Sequence, residues 1–237
     1  MTEQISNPIL RVRQGSETFC IQENHATRTW ASTLIADLSD AFELGWRQIL
    51  VDDLAACPED ITTFYVLQGA RPDQAALLDL MEGIVGSRPP DPAAIFPEWA
   101  RGMSVSLPGP GHREFVLASS YSDMPHGVAR SILSEELLQS ILRASDVDAT
   151  QIVSLLAEDL RNKDYSAWFE NNPMGFCSVD IVLLELLLGP STANLRKMDQ
   201  MRAYLTTSFD ALLEAAESRA KSLSLYRDPR CWVWESS

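Results

Sequence analysis

The chain predicts an α+β fold: a helical bundle in the C-terminal half beside a small antiparallel sheet built from short N-terminal, central and C-terminal strands. Three observations carry that expectation. Helical periodicity fills the stretch from Ser134 to Leu223 almost without a break. Short runs of period-two alternation sit in the first half and at the extreme tail, and proline and glycine clusters separate the two kinds of pattern. Few-residue strands beside many helices make α+β the natural class.

At the start, Ile9-Leu10-Arg11-Val12-Arg13 and Thr18-Phe19-Cys20-Ile21-Gln22 both alternate, with Gln14-Gly15-Ser16-Glu17 between them as a turn. The pair predicts a hairpin. A helix is expected next from Trp30 to about Val51, because Leu34, Leu38, Phe42, Trp46 and Ile49 recur at three- and four-residue spacing. Pro58 and Pro72 sit where the first turn of a helix tolerates a missing N–H, so two shorter helices follow. Leu77, Leu80, Met81 and Ile84 give the second of them a buried stripe.

Between Gly86 and Gly111 the breakers dominate, in Arg88-Pro89-Pro90-Asp91-Pro92 and Leu107-Pro108-Gly109-Pro110-Gly111. They bracket a strand at Ser104–Leu107, with Phe115-Val116-Leu117-Ala118 as its hairpin partner. The composition shift predicts a mixed region over 1–130 and a helical bundle with a short strand over 131–237, which one continuous domain would also accommodate.

In the second half, Ser134 precedes Glu135 and Glu136, carboxylates suited to a helix start. Asp148 with Gln151 resembles a capping box opening a helix through Leu155, Leu156 and Leu160 towards Trp168. Ser178 caps the apolar run Val179–Leu188, which Gly189-Pro190 stops. From Ser191 to Leu223 a narrow stripe of Leu195, Met198, Met201, Leu205, Phe209, Leu212, Ala216 and Leu223 predicts one long helix. It packs in the bundle, or pairs with a second copy as a homodimer through the 191–223 helix. Cys231-Trp232-Val233-Trp234 reads as a final strand joining an early hairpin.

Charge and cysteines bound the function. A formal net charge of −14 repels phosphate backbones and anionic lipid, so neither direct nucleic-acid binding nor membrane attachment is expected. The partner expected instead is another, less acidic protein. The longest apolar run, Ile181 to Leu188, contains Glu185 and is too short to span a bilayer. Cys20, Cys57, Cys177 and Cys231 stand far apart with no C-x-x-C pair, which together with a start lacking signal-peptide character predicts a cytoplasmic protein. The three lysines, Lys163, Lys197 and Lys221, among many arginines, with abundant Ala and Leu, suggest a GC-rich bacterial source.

Chemistry is sparse. Ser119-Ser120-Tyr121-Ser122-Asp123-Met124-Pro125-His126-Gly127 leaves a strand and enters a helix, which puts hydroxyls, a carboxylate and an imidazole on one loop. That composition suits acid/base work by His126, oriented by Asp123, with Ser122 or Cys57 as nucleophile. Helix entry and turn formation account for the same residues. Cys57 precedes Pro58-Glu59-Asp60 at an expected helix start, where a thiolate is favoured, although a small buried hydrophobe is the plainer role.

No histidine pair has metal-ligand spacing, and neither a P-loop nor a dinucleotide fingerprint is present, so no metal or cofactor is expected. Trp232 and Trp234 with Arg227 and Arg230 have the composition of an interface hot spot, and would equally anchor the tail inside the protein. Met198 and Met201 are candidates to line a ligand pocket within the helices. The favoured function is that of a binding or accessory protein: a partner subunit, adaptor, inhibitor or regulator. The alternative is a small-molecule enzyme with its site around Asp123 and His126.

Overall fold

The computed structural model describes residues 17–23, 30–58, 63–69, 74–86, 102–107, 113–119, 126–142, 147–148, 157–158, 175–195, 197–225, 227–228 and 231–234. Its centre is a five-stranded mixed sheet of β1 (Thr18–Glu23), β2 (Arg47–Val51), β3 (Phe64–Gly69), β4 (Gly102–Leu107) and β5 (Arg113–Ser119), in the order β2-β1-β3-β5-β4. Four strands run parallel, and only β4 is antiparallel, against β5. The α+β class therefore holds, but the sheet is mostly parallel rather than antiparallel.

The reason lies in β1. It is hydrogen-bonded to β2 on one side and β3 on the other, with Cys20 opposite both Ile49 and Tyr65. Both ladders are filled, so the expected hairpin with residues 9–13 has no edge of β1 to use; those residues themselves lie outside the described ones. Parallel neighbours need crossovers, and these supply the layers. Helix α1 (Trp30–Ala41) joins β1 to β2, and α2 (Gln74–Val85) lies between β3 and the β4–β5 hairpin.

Strand parity then sorts the core. Phe19, Ile21, Phe64, Val66 and Val116 face α1, α3 (His126–Leu142), α4 (Ser178–Leu188) and α5 (Met198–Ser222). Cys20, Tyr65, Leu67 and Phe115 face α2 through Leu77, Leu78, Met81 and Ile84. Burial on both sides explains the unbroken apolar run Phe64-Tyr65-Val66-Leu67. Phe19 stacks on Phe64 with ring centroids 4.4 Å apart and meets Trp46 at 5.1 Å, which locks the first face.

The expected helix from Trp30 to Val51 ends at Ala41. Glu43 (φ 54) and Gly45 (φ +65) turn the chain in the left-handed region, and Arg47-Gln48-Ile49-Leu50-Val51 becomes edge strand β2. After Cys57-Pro58 the structure resumes as Thr63 and strand β3 rather than a described helix, while α2 fulfils the expectation built on Leu77 and Met81. The β4–β5 hairpin is as expected, with Val105 opposite Phe115. Gly102 permits the close approach of β4 to α3: a Cβ there would lie 2.5 Å from Ile132 Cγ2 and 2.6 Å from Glu136 Oε1.

The second half departs further from expectation. Helix α3 begins at His126, eight residues before Ser134. Val147–Asp148 and Ala157–Glu158 form a two-residue parallel pair where a capped helix was expected, and the rest of that stretch lies outside the described residues. Of the expected bundle the described residues show helices α4 and α5, packed on each other and against the sheet's helical layer.

Helix α4 matches its expected limits, though its N-cap is Cys177, whose N–H donates to Asp180 Oδ2 at 2.7 Å. Ser178 Oγ instead accepts from Val233 N at 2.8 Å. The long last helix starts at Met198, seven residues later than expected, because Gly189-Pro190 leads into a 3₁₀ turn, Pro190–Thr192. The final Cys231–Trp234 is not a strand. It is a turn and bend held beside α4, near the single bridge of Phe176 with Arg227.

Two disulfides join all four cysteines: Cys20 on β1 to Cys57, and Cys177 to Cys231. Wide sequence spacing concealed both pairs. Among the described residues no helix is long and apolar enough to cross a membrane.

Candidate functional site

Parallel strands leave all their carboxyl ends on one edge of the sheet, and strand order reverses between β1 and β3. Such a switch point is where open α/β sheets form a crevice. Here the polar residues beside it have structural tasks. Gln68, 3% exposed at the end of β3, accepts from Ala31 N at the start of α1 at 3.1 Å. Gln22 on β1 accepts from Leu54 N at 2.9 Å. Asp53 caps the 3₁₀ turn Leu54–Ala56 by accepting from Ala55 N at 2.9 Å. Each side chain satisfies a helix-end donor that would otherwise be left without a partner.

The candidate acid/base loop springs from this same edge, after Ser119 at the end of β5. His126 is the first residue of α3, while Ser122 and Asp123 lie outside the described residues, as does the side chain of His126. Cys57 is corrected outright. It is bonded to Cys20, 6.0 Å away between Cα atoms, so no thiol is present to act as nucleophile. Among the described residues no cluster of three or more His, Cys, Asp or Glu could hold a metal ion.

The aromatic tail is built into the protein. Trp232 and Trp234 meet edge to face at 5.7 Å, Trp234 belongs to the main core, and the Arg227 guanidinium lies 4.9 Å from the Trp232 ring. Arg227 also donates from one Nη to Ala220 O and Leu223 O at 3.0 and 3.1 Å, closing the end of α5. Trp232 Nε1 is buried. Val233 is the tail's outward residue, 75% exposed. Arg230 and the side chain of Met198 lie outside the described residues, and Met201 is buried in the core rather than lining a described pocket.

Exposed apolar side chains also occur at Leu50 on edge strand β2, 59% exposed, and on helix α5. Its stripe divides at a kink on Ser208 (φ −136, ψ 23). Beyond the kink, Leu212, Ala216, Ala220 and Leu223 are buried against the core. Around it, Phe209 and Leu213 point outward, 49% and 37% exposed, one helical turn apart. Exposed Asp210 and Glu214 stand beside them.

The kink has a local cause. Thr206 Oγ1 donates to Arg202 O at 2.9 Å and Thr207 Oγ1 to Ala203 O at 3.0 Å, back-bonds that bend helices. The three successive hydroxyl residues, Thr206-Thr207-Ser208, were the signal in the sequence for this division, which the apolar spacing alone hides.

No known protein family matches the chain. No curated protein and no solved structure matches it either.

Proposed function

We propose that the chain is a protein-binding or accessory protein that receives a less acidic partner on α5. The observation carrying this is the exposed Phe209–Leu213 pair flanked by Asp210 and Glu214. Apolar side chains at (i, i+4) offer a ridge, and the carboxylates select a partner whose apolar face is edged by Lys or Arg. A second copy of this chain is the less suitable occupant, because each copy brings a net charge of −14. The tail tryptophans already have intrachain partners, which favours α5 over the tail as the contact.

The test uses the partner recovered by the full chain from its own source and then purified. Phe209→Ser with Leu213→Ser should weaken binding at least tenfold, the loss typical of a central hot-spot pair. The helical circular dichroism signal should stay intact. Asp210→Lys with Glu214→Lys should weaken it mainly at low salt. Unchanged affinity in both variants would remove α5 as the contact surface.

A second reading, a small-molecule enzyme at the sheet's carboxyl edge, draws support from the start of α3 at His126 directly after β5. In that reading His126→Ala abolishes turnover of whatever ligand co-purifies, and full turnover in the variant ends it.

A further inference from the structure

The two disulfides differ in what surrounds them. Cys20 is fully buried in interior strand β1, and Cys57 packs with Leu54, Leu77 and Met81 beneath α2. Cys57 also lies on a bend outside any strand or helix, but it is buried in the layer packed between the sheet and α2. Cys177 is also fully buried, but Cys231 is half-buried on a tail segment that belongs to no strand or helix.

Besides the disulfide, that segment is held by the packing of Trp232 and Trp234 and by hydrogen bonds to its backbone. Ser178 N donates to Cys231 O at 3.4 Å, Val233 N to Ser178 Oγ at 2.8 Å, and Cys231 N and Trp232 N both donate to Asp228 O. All of them can open while every strand of the sheet stays paired. Local opening is therefore far cheaper at Cys231 than at Cys20.

We propose that Cys177–Cys231 is an exchange site for a dithiol–disulfide oxidoreductase, and that Cys20–Cys57 is a permanent cross-link of the sheet. In the reducing direction, a thiolate of the oxidoreductase attacks Cys231 Sγ. The Cys177–Cys231 bond breaks, a mixed disulfide with Cys231 forms, and Cys177 leaves as thiolate and takes up a proton. The second thiol of the oxidoreductase, losing its proton, then attacks the oxidoreductase sulfur of the mixed disulfide and releases Cys231 as thiolate. The oxidoreductase ends as a disulfide and this chain as a dithiol, two electrons having passed between them. The same steps in reverse install the bond.

Cys177 departs at the N-terminus of α4, which stabilises a thiolate, while the carboxylate of Asp180 in the same turn opposes it. Access to Cys231, rather than leaving-group strength, therefore sets the order of the two bonds. Persistence of both bonds requires surroundings that keep thiols oxidised, whereas wide cysteine spacing alone suggests a reducing cytoplasm.

The experiment is graded reduction of the full chain with dithiothreitol, quenched by alkylation and read by peptide mass. Cys177 and Cys231 should become labelled at a reductant concentration at least tenfold below that for Cys20 and Cys57. Tryptophan emission should shift to the red in the same step as Trp232 and Trp234 loosen, with far-ultraviolet dichroism unchanged. Cys177→Ser with Cys231→Ser should show the red-shifted emission without reductant and retain the Cys20–Cys57 bond. Simultaneous reduction of both bonds, or earlier reduction of Cys20–Cys57, overturns the assignment. So does finding four free thiols in natively folded protein that was alkylated as its source was lysed.

Discussion

At position 219 one side chain answers to three elements. Arg219 Nε donates to Glu185 Oε2 at 3.1 Å, tying α5 to α4, and an Nη donates to Ala41 O at the end of α1. Its guanidinium also lies 4.8 Å from the centre of the Phe42 ring. Glu185 has a side chain only 2% exposed, and Arg219 is the cation paired with it. Removing the cation leaves a buried carboxylate uncompensated, which costs about 3–5 kcal/mol.

Arg219→Met should therefore lower the urea midpoint sharply. Glu185→Met on the same background should restore most of the loss, because an apolar pair of similar size needs no desolvated charge. A single variant within about 0.5 kcal/mol of the parent, the ordinary range for surface changes, would show that the pair is not holding the helices together. Gly189, where α4 stops, donates its N–H to the backbone carbonyl of the same Glu185 at 2.9 Å. A Cβ there would collide with the Glu185 carbonyl and side chain, so even alanine is excluded from that turn. The sequence displayed a Gly-Pro stop at this point but could not display the ion pair, whose members are 34 residues apart.

Among the elements, legibility followed how local each decision was. Helix α4 and the β4–β5 hairpin were readable because their ends are written beside them, as Gly189-Pro190 and as the Pro-Gly loop after Leu107. Strand β2 was not, because Phe42, Trp46 and Ile49 keep helical spacing straight through the break. The deciding signal was Gly45, a residue suited to the positive φ found there.

Helix α5 was readable as an element but not as two faces. Its kink makes a prediction of its own. Replacing Thr206, Thr207 and Ser208 with alanine removes the back-bonding hydroxyls and raises intrinsic propensity, so helical dichroism at 222 nm should increase. Partner affinity should hold, since Phe209 and Leu213 both follow the kink and keep their (i, i+4) ridge. No spectral change would mean that packing on α4, not the hydroxyls, imposes the bend.

For the whole molecule, the α+β class was legible, whereas strand direction was not. Alternation has the same period in parallel and antiparallel ladders, and only the two-sided burial of Phe19-Cys20-Ile21 and Phe64-Tyr65-Val66-Leu67 hinted at a covered, parallel sheet. The candidate site was less legible still. Loop chemistry near His126 was visible, but the exposure of Phe209 depends on which neighbours the fold supplies, and the cysteine pairs depend on topology.

The same topology makes the tail a structural member. Trp234 is 9% exposed within a core that also contains Phe19. Trp234→Ala should cost about 3–5 kcal/mol by urea unfolding, the range for emptying a large aromatic site. A loss below about 1 kcal/mol would show that the tail merely rests on the surface.

Trp234 also sets a timetable. Strand β1 leaves the ribosome before its neighbour β3, which follows some 45 residues later, and the core they share is sealed by a residue 215 positions after Phe19. A nascent chain must therefore carry these apolar strands unsealed until Trp234 has emerged. Stalled or shortened translation products of this protein should be the natural clients of holding chaperones, and completion of the tail the event that releases them.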